Sequence, residues 1–464
     1  MTNSKIQRSS FRDPSGFLFT HDGVLLRQVN LSYQEHYDTF IHSGLYNKLV
    51  DGKMIVPHQE VAQELKQSES AYKIIQPIPI EFISYPYEWS FSQLKDAALL
   101  TLELQGIALE HGMSLKDASA FNIQFHEGRP LLIDSLSFER IQEGQPWVAY
   151  RQFCQHFLSP LALMANVDVR LSQLLRVFID GIPLDLVSRL LPMRTWLKFS
   201  LLAHIHLHAQ SQRRFAGRDV QKTATNLSMT NTRVLALIDS LRSSVEKLHW
   251  APVGTEWVDY YDTSHNYQPE ALGHKTEVVE SFLEQVRPNT IWDLGANTGY
   301  FSRLGSRRGI PTYAFDIDPG AVELNYLQTK KDEDAHLLPL LLDLTNPSSS
   351  MGWASEERMS ILERGPVDAI FALALIHHLA IGNNLPFGLI SKYFANLGEW
   401  LLIEFVPKDD PQIQRMLVSR QDIFSDYTQS NFESSFSGYY EIVHKEVIAD
   451  SDRIIYFMKR RSHA

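Results

Sequence analysis

The chain has 464 residues, of which 44% are hydrophobic and 21% charged, with a formal net charge of -11 and one cysteine, Cys154. That length and apolar content predict two or three domains with packed cores and exclude wholesale disorder. The acidic balance argues against a broad nucleic-acid footprint, and the lone thiol, read as a small buried hydrophobe, excludes a disulfide framework and a cysteine-rich zinc centre. The first ten residues are polar with no apolar core behind them. No secretory signal is read there, and a soluble cytoplasmic protein is expected. The greasiest helical stretch, 94–109, is interrupted by Lys95, Asp96, Glu103 and Gln105, so no membrane span is predicted.

In chain order, residues 17–29 read as a β-hairpin turning at Asp22-Gly23. A helix is predicted over 32–50, a strand over 81–85 and a long helix over 94–109. Asp117 and Asn122 then flank the turn into a short apolar hairpin, and Asp134 follows the apolar run Pro130-Leu-Leu-Ile. Residues 147–250 read as largely helical. Asp-x4-Asn, a hairpin, then a second acid resembles the catalytic loop and metal-binding acid of kinase-like phosphotransferases. The resemblance implies an N-terminal α+β kinase-like domain over 1–250 with a helical C-lobe. Asp117 would be its base, and Asn122 and Asp134 its Mg²⁺ ligands. The chain departs from that pattern. It has no G-x-G-x-x-G loop over 11–30 and no evident Val-Ala-x-Lys strand, with Arg27 alone in a comparable place. Asp117 follows Lys116 instead of His-Arg, and Asp134-Ser-Leu stands where Asp-Phe-Gly would. A degenerate module that grips substrate or a partner is the expectation.

The segment Trp257 to Tyr267 is aromatic and polar, and 251–267 reads either as a linker or as a lid. Beyond it, Val278, Val279, Phe282, Leu283 and Val286 recur at helical spacing until Pro288 ends the helix. Then comes Ile291-Trp-Asp-Leu-Gly-Ala-Asn-Thr-Gly-Tyr300: an apolar strand ending in Asp293, a turn through Gly295 and Gly299, and a helix start. Such a turn lets backbone N–H groups approach a ligand closely. Further strands are predicted at 312–315, 337–342, 367–373 and 400–406, with helices at 320–328 and 385–397. Asp318 before Pro319 reads as a helix cap. The last two strands, 440–447 and 453–458, have no helix between them and should pair as an antiparallel hairpin. Strands alternating with helices imply a parallel, doubly wound sheet.

Asp-x-Gly-x-Asn-x-Gly, with an acid before the turn and no lysine after it, resembles motif I of class I S-adenosylmethionine (SAM)-dependent methyltransferases, and the arrangement is similar to their nodulation-protein type. The resemblance covers about 255–464. It implies a Rossmann-like seven-stranded α/β domain over 268–464 with a terminal antiparallel hairpin, and SAM as cofactor. Gly295, Ala296, Asn297, Thr298 and Gly299 would line its methionine end, with Asp293 facing the ammonium. Asp316 would take the ribose hydroxyls, Asp343 the adenine amine, and Ile317 and Leu344 would sandwich the ring.

His377 and His378 follow the fourth strand, where the methyl group should point. Two readings stand: one of them takes a proton from the acceptor, or both pack the helix entrance. Glu404, ending the fifth strand, is a catalytic candidate or a contact behind the site. No metal is called. The expected function is methyl transfer to an O, N or C nucleophile of an unidentified acceptor. The alternatives are a SAM- or nucleotide-binding regulator without turnover and a bifunctional phosphotransferase–methyltransferase.

Overall fold

The computed structural model describes residues 4–215, 229–252, 269–418 and 421–462. The chain divides into two compact units, residues 1–250 with 351–358, and residues 251–350 with 359–464. The linker-or-lid segment Trp257 to Tyr267 lies outside the described residues.

In the first unit, β1 (Ser4–Ile6), β2 (Gly16–His21), β3 (Val24–Asn30), β4 (His58–Val61) and β5 (Ala71–Pro77) form an antiparallel sheet in the order β1-β2-β3-β5-β4. The expected hairpin is β2–β3. Asp22 (φ 49°) and Gly23 (φ 83°) give the two positive φ values of a type I′ turn, which matches the twist of the flanking strands. The helix predicted over 32–50 forms as two, Gln34–His42 and Leu45–Asp51, because Gly44 at φ 84° cannot continue a right-handed helix.

The strand predicted over 81–85 does not form. The N–H groups of Ser84 and Tyr85 donate to the side chains of Gln124 and Glu88 at 2.8 and 2.9 Å, so no partner strand is needed there. The helix Phe91–Glu110 starts at a reciprocal cap between Ser90 and Gln93. β6 (Met113–Leu115) pairs with β9 (Phe138–Arg140), and β7 (Ile123–His126) with β8 (Arg129–Leu132) across a Glu127-Gly128 turn. Short helices dominate beyond Tyr150, with Cys154 fully buried among them.

The second unit is built on β10 (Ile291–Leu294), β11 (Thr312–Asp316), β12 (Leu337–Leu341), β13 (Val367–Ala372), β14 (Gly398–Phe405), β15 (Tyr440–Val447) and β16 (Ile454–Arg460). Their order is β12-β11-β10-β13-β14-β16-β15. The first five are parallel, and β16 pairs antiparallel with both β14 and β15. This is the expected parallel sheet with a terminal hairpin.

β10 is buried along its whole length, as an apolar strand covered on both faces must be. The helix Pro269–Val286 lays Val279, Phe282 and Leu283 on the sheet, where Phe282 meets the rings of Phe371 and Phe457 edge-on. Asp318 caps the helix Pro319–Lys331 by accepting from Gly320 N at 2.7 Å. Strand order turns around at β10, with β11 on one side and β13 on the other, which opens a crevice at the carboxyl ends of these strands.

Candidate functional site

The turn after β10 holds Gly295 (φ 79°), Asn297 (φ 51°) and Gly299 (φ 80°) within five residues. Gly295 N and Ala296 N both donate to Phe315 O, at 2.8 and 2.9 Å, so the end of β11 clamps the turn. Asp316 completes the clamp: its Oδ2 accepts from Asn297 N at 2.7 Å and its Oδ1 from Asp318 N at 2.9 Å. Each oxygen keeps acceptor capacity for a ligand hydroxyl. A Cβ on Gly295 would come within 3.1 Å of Leu375 Cδ1, and one on Gly299 would collide with the Asn325 side chain. Asn325 is itself fixed by Arg303, whose guanidinium donates to its Oδ1 at 2.8 Å.

This turn forms one wall of a cavity of about 270 Å³ at the carboxyl ends of β10, β11, β12 and β13. Asp293, Gly295, Ala296, Asn297, Asp316, Ile317, Asp343 and Leu344 all line it. Thr298 and Gly299 do not. Thr298 N donates to Asn297 Oδ1, its carbonyl accepts from Arg303 Nη1, and Gly299 packs on Asn325, so both residues shape the turn from behind. Ile317 is 60% exposed, an apolar side chain at the cavity rim and so available to cover a flat ring.

Asp343 Oδ1 accepts from the N–H and hydroxyl of Thr345. It thus builds its turn as well as facing the cavity. Burial raises the Asp293 carboxyl to about 7 despite a 2.6 Å hydrogen bond from Ser302 Oγ. Burial likewise raises Asp316 to about 6 against its backbone donors. For both carboxyls burial outweighs the groups that favour ionisation, the Lys275 charge near Asp293 included, and a ligand bringing positive charge or donors would offset it.

The two histidines separate. His378 lines the cavity, while His377 is fully buried behind it, and neither ring nitrogen of His377 has a hydrogen-bond partner. Burial lowers the pKa of both, His378 to about 4, so His378 is neutral at pH 7. Glu404 is also fully buried and does not line the cavity. It accepts from Ala374 N at 2.8 Å and from Lys275 Nζ at 2.6 Å. Lys275 is the side chain that reaches the wall.

Sequence reading missed Lys275, although a signal existed. It falls at i+4 from Ala271, on the same stripe that continues through Val278, Val279 and Phe282, so a charge sits on a core-facing face. Among the described residues no cluster of His, Cys, Asp and Glu could hold a metal ion, and no helix is long and apolar enough to cross a membrane.

In the first unit Asp117, Asn122 and Asp134 are brought together: the Asp117 carboxyl feels both the charge of Asp134 and a hydrogen bond to Asn122. Asp117 Oδ1 accepts from Ser119 N and from Gln152 Nε2, and burial raises its pKa. Asp134 is paired with Arg27 at 2.5 Å. Burial pushes Asp134 up, but the Arg27 charge and the Leu136 N–H outweigh it, and the pKa falls below the usual carboxylate range. Arg27 is only 8% exposed.

No family model matches the chain. It is 36% identical over 464 residues to nodulation protein NoeA of Rhizobium meliloti (strain 1021), covering 97% of this chain and 95% of that protein. Similar solved structures include magnesium protoporphyrin IX methyltransferase (ChlM) from Synechocystis PCC 6803 with bound SAH, at 14% identity, TM-score 0.31, 41% of this chain and 84% of that one. The N-methyltransferase NodS from Bradyrhizobium japonicum WM9 matches at 10% identity, TM-score 0.30, over 42% of this chain and 99% of its own. The bifunctional kinase-methyltransferase WbdD matches at 14% identity and TM-score 0.29, over 44% of this chain and 42% of that one.

Proposed function

We propose that this chain, which belongs to the family of nodulation protein NoeA, is a SAM-dependent methyltransferase acting on an O, N or C nucleophile of an unidentified acceptor. The observation that carries this reading is the convergence of Asp293, Asp316 and Asp343 with the glycine turn on one cavity. Each acid stands at or just beyond the end of one of the adjacent parallel strands β10, β11 and β12. The donor set fits the cofactor. Asp293 suits an ammonium, the two oxygens of Asp316 suit a vicinal diol, Asp343 suits an amine, and Ile317 and Leu344 suit an aromatic ring between them.

SAM, when bound, supplies an electrophilic methyl group on a sulfonium. The protein's part is orientation: the clamped turn fixes one end of the ligand, and Leu375, Leu379 and His378 wall the region beyond it. Of the two histidines His378 is the one that faces the cavity, where its neutral ring can accept a hydrogen bond from the acceptor; burial, which lowers its pKa to about 4, weakens it as a base. His377 supports it from behind, their ring centroids 4.1 Å apart. Glu404 acts through Lys275 and does not meet substrate.

The first unit is read as a kinase-like module that serves acceptor binding in place of phosphoryl transfer. The Arg27–Asp134 pair speaks against phosphoryl transfer, since an internal guanidinium occupies the acid that Mg²⁺ would need. Differential scanning fluorimetry tests the central reading. At one SAM concentration the melting temperature of the wild type should rise by clearly more than that of Asp316→Ala, and an equal rise in both would reject it.

A further inference from the structure

Among the described residues lining the cavity, Lys275 is the only Lys or Arg, against the three carboxylates Asp293, Asp316 and Asp343. Its side chain is all but buried, on the inward face of the helix Pro269–Val286. Glu404 Oε2 holds Nζ at 2.6 Å, and the ring of Phe301 lies with its centroid 4.7 Å from the ammonium. Glu404 in turn stands 3.5 Å from Arg453 Nη1, and Asp410 grips that guanidinium at 2.7 and 3.1 Å. A buried chain of alternating charges therefore fixes one ammonium at the cavity wall. It sits close enough to Asp293 for the two charges to act on each other. Such a chain costs desolvation and is weak as a stabilising device, so its placement at a ligand cavity calls for a role there.

We infer that Lys275 receives the carboxylate of the methionine arm of SAM, and that Glu404 is its positioning residue. The inference rests on the cofactor reading above and sharpens it. SAM carries an α-ammonium, a sulfonium, a ribose diol and an exocyclic amine, all of which suit acidic partners. Its one anionic group is the carboxylate, and the cavity offers one matching cation. The ammonium and carboxylate sit on the same carbon of the ligand, so their receptors must be neighbours, as Asp293 and Lys275 are. An ammonium has three N–H donors and can serve Glu404 and a ligand oxygen together.

Calorimetric titration of the full chain with SAM and with decarboxylated SAM tests this. The wild type should prefer SAM by about 10- to 100-fold, the range of one charge-assisted hydrogen bond. Changing Lys275→Met together with Glu404→Gln removes both partners, so no lone buried charge remains, and the preference should shrink below about threefold. A folded double variant that keeps a tenfold preference overturns the inference. So does a wild type that binds both ligands equally, a result that needs no variant to fold. A wild type that binds neither would instead remove the cofactor reading on which the inference rests.

Discussion

The two units each gather carboxylates at the ends of strands, and they treat them in opposite ways. In the first, Asp134 is neutralised from within by Arg27, and Asp117 is tied to Gln152 and Ser119. In the second, Asp293 and Asp316 face a cavity with their pKa values pushed up to about 7 and about 6 by burial. The lesson is one of electrostatic bookkeeping. A site whose charges are already paired has little to gain from a ligand, whereas one whose acids are only partly compensated is stabilised by the ligand that completes the compensation.

The harshest way to break this contrast is Gly295→Val. The position has φ 79°, and a branched side chain there would press on Leu375. SAM binding by calorimetry should fall below detection, and normal affinity in the purified variant would mean that the turn is not the cofactor cradle. Asp316→Ala comes next. Two charge-assisted bonds are lost and water replaces them in part, so affinity should drop about 10- to 1000-fold while the far-ultraviolet spectrum is unchanged. An unaltered affinity would remove Asp316 from the site.

In the first unit, Arg27→Ala should cost about 2–3 kcal/mol in urea unfolding, somewhat below the usual loss for a buried pair because Asp134 retains some exposure. A negligible change would show that the pair does not close that site.

The smallest expected effect is on pH. A carboxyl whose folded pKa lies above its ordinary value binds more protons folded than unfolded. Its contribution to stability is therefore full below about pH 4 and lost as pH rises through about 6 to 7. The ligand-free protein should accordingly lose stability from these groups over that window. SAM affinity should run the other way and rise from pH 5.5 to 8, since the ionised acids are the binding form. Asp293→Asn should flatten the upper part of that rise, and an identical profile in variant and wild type would dissociate Asp293 from the ligand.

Much of the second unit was legible in the sequence because local signals and tertiary fold agree there. Its first three strands are short apolar runs closed by Asp, and its helices carry regular stripes, as with Phe282 and Phe394. The helices Pro411–Val418 and Gln429–Ser437 went unread, being short and rich in polar residues. In the first unit β4 and β5 were missed because His58-Gln-Glu-Val61 and Ala71-Tyr-Lys-Ile-Ile-Gln-Pro77 do not alternate cleanly. Residues 81–85 looked like a strand, yet side chains took its N–H groups. Residue type and strand position were enough to expect Asp293, Asp316 and Asp343 together, and the three do line one cavity. Depth did not follow from adjacency: nothing in His377-His378 says which ring reaches the cavity, and nothing in Glu404 says that Lys275 stands before it.

The most direct test of the contrast is one pair of calorimetric titrations of the full-length chain, with SAM and with MgATP. Saturable one-to-one binding of SAM and no heat from MgATP is the expected result. Binding of MgATP without binding of SAM would contradict it, placing the working site in the unit where Arg27 holds Asp134.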